Sequence, residues 1–123
     1  MSIPLAIQIM RVVLPSVFAA ILAVPLASAF TIAVPTNPTS GEVTEIDWTF
    51  TATDPPTFDL FLVNSTNAFD LKAIIGENIE TDLGKITTLL PTLPAIDGYA
   101  LTIRDATNVD RVFAWSPTFA IKA

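Results

Sequence analysis

Neither cysteine nor histidine occurs in this chain of 123 residues. The first absence excludes disulfide staples, thiolate metal sites and a cysteine nucleophile, so stability has to come from packing alone. The second removes the commonest general base, the commonest metal ligand and the one side chain that titrates near neutrality unaided. Basic residues are also scarce, six Lys and Arg against twelve Asp and Glu. Such a chain offers no Lys/Arg cluster for a phosphate backbone, and nucleic acid is excluded as an expected partner. Glycine occurs four times and proline ten, so Pro, Asn, Asp and Ser must make most of the turns.

Charge is absent altogether between Val12 and Gly41. Arg11 precedes an apolar stretch from Val12 to Leu26, and Ala27-Ser28-Ala29 follows with small residues spaced as signal peptidase requires. The pattern predicts a leader over residues 1–29, cut between Ala29 and Phe30, and a secreted single domain over residues 30–123. An uncleaved anchor of about 20 residues is the rival reading; Pro15, Pro25 and the Ala-Ser-Ala site weigh against it. Removing the leader takes away Arg11 and no acid, so the exported domain is more acidic still.

Within that domain the dominant period is two. Ile46, Trp48 and Phe50 alternate with Glu45, Asp47 and Thr49, which predicts a half-buried strand. After the Asp54-Pro55-Pro56 turn, Phe58, Leu60 and Leu62 share one face and Asp59, Phe61 and Val63 the other. Tyr99, Leu101 and Ile103 share a face over residues 98–105. Further strands are expected at 30–34, 68–74, 85–90 and 118–122. The stretch 69–83 contains Gly76 and β-branched Ile74, Ile75 and Ile79, so it predicts at most a single helical turn. About seven short strands separated by turns every 8–12 residues predict an all-β, antiparallel β-sandwich.

The order of short motifs adds a resemblance. Phe30-Thr31-Ile32…Pro35-Thr36 leads to Ser40-Gly41-Glu42, Ile46-x-Trp48 and Phe58-Asp59-Leu60-x-Leu62. Leu93-Pro94…Gly98-Tyr99-x-Leu101-x-Ile103 and Ser116-Pro117-x-Phe119-x-Ile121 follow. This series resembles the N-terminal domain of fungal cell-wall synthesis proteins of the killer-resistance, KNH-like type, which also heads the Ser/Thr-rich GPI-anchored membrane family. The resemblance implies an immunoglobulin-like β-sandwich of about seven strands and involvement in β-1,6-glucan assembly. It transfers no catalytic residue. The sequence ends at Ala123 without a Ser/Thr-rich stalk or hydrophobic tail, and the expectation is a freely secreted domain.

Candidate sites are few. Asn64-Ser65-Thr66 is an N-glycosylation acceptor in an expected turn. Trp115 and Tyr99 are the expected glycan contacts, because exposed aromatic faces pack on sugar rings; the rival role for Trp115 is to cap the core. Glu45 and Asp47 have the spacing of paired glycosidase carboxylates, but a solvated strand face accounts for them better. Asp105, Asn108 and Asp110 offer oxygens to a hard cation; a turn held by their own side chains is the preferred reading, and no metal or cofactor is expected.

The expected function is therefore non-enzymatic. The domain binds or organises wall glycans, or docks on a wall or secreted protein, with no nucleic acid partner and no membrane contact once the leader is removed. The alternatives are a secreted effector or adhesion module, using strand addition among other modes, and a small carboxylate-based glucan hydrolase or transglycosylase.

Overall fold

In the computed structural model, which describes residues 29–123, the alternating stretches form seven strands and no α-helix. They are β1 (Thr31–Ile32), β2 (Val43–Thr49), β3 (Thr57–Asn64), β4 (Asn67–Glu80), β5 (Lys85–Leu89), β6 (Tyr99–Asp105) and β7 (Asn108–Trp115). A three-stranded sheet in the order β1-β2-β5 packs on a four-stranded sheet in the order β4-β3-β6-β7, with every strand pair antiparallel. This is an immunoglobulin-like sandwich. The leader expected over 1–29 lies, apart from Ala29, outside the described residues.

The core forms between the facing sides of the sheets. Ile32, Ile46 and Trp48 meet Phe58, Leu60, Leu62, Tyr99, Leu101 and Ile103 there. Phe58 is the centre of an aromatic cluster, with edge-to-face contacts to Phe30 at 5.4 Å and Trp48 at 5.0 Å. Buried indole nitrogen needs an acceptor, and Trp48 Nε1 donates to the Thr81 carbonyl at 2.8 Å. The faces expected for β2, β3 and β6 are those observed, except that Phe50 falls beyond the end of β2 and is exposed.

Three elements differ from the sequence expectation. The strand expected at 68–74 runs on through Gly76 to Glu80, and the helical turn follows it as a 3-10 turn at Thr81–Leu83. A Cβ at Gly76 would lie 2.8 Å from Ile79 Cδ1, so a larger residue there requires the Ile79 side chain to shift. β7 occupies a stretch for which no strand was expected. Its alternation is broken by Val109-Asp110-Arg111, three residues that bulge out of register between the pairs Asp105–Asn108 and Arg104–Val112. The terminal segment 118–122 is not a full strand. Pro117 lacks the donor a ladder requires, and the chain instead makes two single bridges, Tyr99–Phe119 and Thr39–Lys122.

Candidate functional site

The outward side of the four-stranded sheet departs from the usual polar face of a sandwich. Asp59, Phe61, Val63, Ala100, Thr102 and Arg104 all point away from the main core, yet all are buried. Phe61, Val63 and Ala100 form a second apolar cluster. Two hairpins that share one construction close over it. Each has a two-residue tip, between Asn64 and Asn67 in one and between Asp105 and Asn108 in the other. Each then bulges by three residues, 68–70 and 109–111, before pairing resumes.

The side-chain bonds match as well. Asn64 Oδ1 accepts from the Thr66 amide and hydroxyl at 2.9 and 2.8 Å, and Asp105 Oδ1 accepts from the Thr107 amide and hydroxyl at 2.9 and 2.7 Å. Asn67 Oδ1 caps the Phe69 amide, and Asn108 Oδ1 caps the Asp110 amide. The two bulges offer equivalent carbonyls, those of Ala68 and Val109, to the same guanidinium. Arg104 is 3% exposed, donates Nη2 to Ala68 and Nη1 to Val109, and donates Nε to the Thr102 hydroxyl at 2.8 Å. Its Cζ lies 4.8 Å from the centroid of the Phe61 ring, a cation–π contact. Burial pulls the guanidinium pKa below its ordinary value, with the Asp110 carboxylate acting against that shift. Arginine nevertheless keeps its charge in proteins.

These bonds place the oxygens once considered for a cation. Asp105 and Asn108 spend theirs on the turn, and Arg111 stands 3.9 Å from Asp105 Oδ2. The Thr107 hydroxyl, then its amide, hold the Asp105 carboxyl below the usual carboxylate range. Glu45 and Asp47 lie on the outward face of β2, where Glu45 pairs with Lys85 at 3.7 Å. Tyr99 corrects the sequence expectation. It is 2% exposed, its hydroxyl donates to the Pro94 carbonyl at 2.8 Å, and its ring packs near Phe119. Burial raises its phenol pKa. A residue that begins β6 on the inward side has no face left for a sugar. Trp115 is 43% exposed and lies in one cross-sheet row with Thr102, Phe61 and Ile74.

A cleft of about 500 Å³ opens at the end of the sandwich where the β2–β3 loop meets the turn after β4. Phe50, Pro55 and Pro56 give it an apolar floor. Thr51, Thr57, Thr81, Asp54, Glu80 and Asp82 supply hydroxyls and carboxylates, and no Lys or Arg lines it. Thr81 fastens the walls together, its amide donating to the Pro56 carbonyl at 2.9 Å and its hydroxyl to that of Pro55 at 2.5 Å. Asp54 orders the loop by accepting from the Thr51 amide at 2.9 Å. Sequence reasoning passed over this cleft. Its one local signal is the Pro55-Pro56 pair, and its other wall is 25 residues further along the chain.

The family model for the Kre9/KNH-like N-terminal Ig-like domain matches residues 27–121, from before β1 to the terminal bridges. The chain belongs to that family. Neither a curated protein nor a solved structure matches it. The Kre9/KNH-like domain is a non-catalytic domain type related to the fungal cell wall. In this Kre9/KNH-like domain, Phe58, Leu60, Tyr99, Leu101, Ile103, Phe119 and Ile121, which carried the resemblance, are all core residues. Most of the resemblance therefore rests on packing residues, and the cleft and Trp115 lie outside its motifs.

Proposed function

We propose that this Kre9/KNH-like domain acts outside the cell, in or on the fungal wall, as a non-enzymatic module that holds a neutral glycan. The cleft carries the reading. A concave site with an apolar floor and a few convergent polar groups suits a small or chain-like ligand, and sugar rings present an apolar face with a hydroxyl rim. Hydroxyls and carboxylates without any cation in the lining accept hydrogen bonds from sugar hydroxyls and repel anionic polymers. A second contact is supported by Trp115, which is exposed at the outward side of β7, beside the covered row of Thr102 and Phe61.

Co-sedimentation with insoluble β-1,3-glucan, β-1,6-glucan and chitin tests the proposal. Binding to at least one polymer is expected, reduced about tenfold by Phe50→Ala, the equivalent of about 1.4 kcal/mol. Trp115→Ala is expected to have the smaller effect. Binding to none of the three overturns the glycan reading in favour of a protein partner. Release of new reducing ends overturns the non-enzymatic part.

A further inference from the structure

We propose that Asn64 carries an N-linked glycan, an inference that rests on the export reading above. Asn64-Ser65-Thr66 forms the tip of the β3–β4 hairpin, with Thr66 exposed and Asn64 and Ser65 half-buried. The other Asn-x-Thr of the sequence, Asn37-Pro38-Thr39, is barred by its proline.

The two atoms of the Asn64 amide have separate tasks. Oδ1 holds the turn through Thr66. Nδ2 donates one hydrogen to Asp70 Oδ2 at 3.3 Å, and its second hydrogen has no partner among the described residues. Asp105 stands in the equivalent place of the matching hairpin and makes the same turn with a carboxylate. The turn thus requires the oxygen and not the nitrogen. A sugar on Nδ2 takes the place of the free hydrogen, and the remaining N–H keeps its bond to Asp70.

The donor is a lipid-linked oligosaccharide diphosphate of the secretory route. Its bond between the anomeric carbon and the phosphate oxygen breaks, and the diphosphate leaves with the electron pair. The new bond joins the anomeric carbon to Nδ2, which gives up one proton to a base of the transferase. No atom changes its overall electron count beyond this substitution. The glycan emerges at the far end of β3 from Thr57, which borders the cleft. At about 3.3 Å per residue the separation is roughly 23 Å, so the modification leaves the cleft open.

The test is expression of the full chain in a secreting yeast, with gel mobility and peptide mass read before and after a peptide-N-glycosidase, which hydrolyses the side-chain amide bond. The expected result is a slow secreted band that collapses on treatment, with the Asn64 peptide converted to its aspartate form. Asn64→Gln and Thr66→Ala are expected to abolish the shift and Thr66→Ser to retain it. The Thr66 pair alters no atom of Asn64 and decides the matter even where Asn64→Gln is poorly secreted. Secretion of the unshifted wild type overturns the glycan while leaving export standing. Retention in the cell, unshifted, overturns export and the glycan with it. A shift that survives Asn64→Gln overturns this site.

Discussion

The β3–β4 and β6–β7 hairpins repeat one design in two chemistries. Asn64-Ser65-Thr66-Asn67-Ala68 in the first corresponds to Asp105-Ala106-Thr107-Asn108-Val109 in the second, and both end by handing a carbonyl to Arg104. They differ at the leading residue, an amide in one and a carboxylate in the other. A turn of this kind selects for a side-chain oxygen at a fixed distance from two donors, which either residue supplies. The rest of the leading side chain is then free to take a separate role, an amide nitrogen in one hairpin and a charge facing Arg111 in the other.

The largest effect is expected from the floor both hairpins cover. Phe61→Ala removes the ring beneath the guanidinium and should cost about 3–4 kcal/mol in urea unfolding; a cost near that of a surface substitution would mean the bulges do not seal the face. Arg104→Ala should cost about 3 kcal/mol, since it leaves the carbonyls of Ala68 and Val109 without their donor. Hydrogen exchange should then quicken at Phe69 and Asp110 alike, and a response in one hairpin alone would break the idea of a shared clasp.

Thr66→Ala and Thr107→Ala each delete one hydroxyl bond. In unglycosylated protein they should cost about 1 kcal/mol apiece, and unequal costs would show that the matching geometry hides unequal energetics. The smallest effect separates the two chemistries. The Asp105 carboxyl titrates below its unfolded value, so its contribution is present above that value, near pH 4, and is lost as pH falls through the lower folded one. The Thr107 amide resonance should follow that titration while the Thr66 amide, held by an uncharged oxygen, stays still; parallel movement of both would refute the assignment.

The sandwich was legible where alternation was regular. Ile46 and Trp48, Phe58, Leu60 and Leu62, and Tyr99, Leu101 and Ile103 declared their faces by spacing alone. The same alternation leaves Ala100, Thr102 and Arg104 for the opposite side of β6 and gives no hint that this side is covered. The bulges at 68–70 and 109–111, whose carbonyls hold Arg104 over Phe61, break the period that sequence reading depends on. β7 escaped notice for that reason. The site was harder to read than the fold. Tyr99 was assigned a surface role because its ring type suits sugars, although its position at the head of an inward row fixes it in the core. The cleft depends on Thr81 reaching across to Pro55 and Pro56, a contact that no local pattern encodes.

The paired bulges also govern what can join the molecule from the side. A strand laid along the outer margin of β4 or β7 would find its donors and acceptors out of step within a few residues, at 68–70 and again at 109–111. At those places the margins of the four-stranded sheet offer no continuous ladder to an added strand. Along those two bulged stretches a neighbour meets the sheet through side chains and loops and not through a continuous ladder.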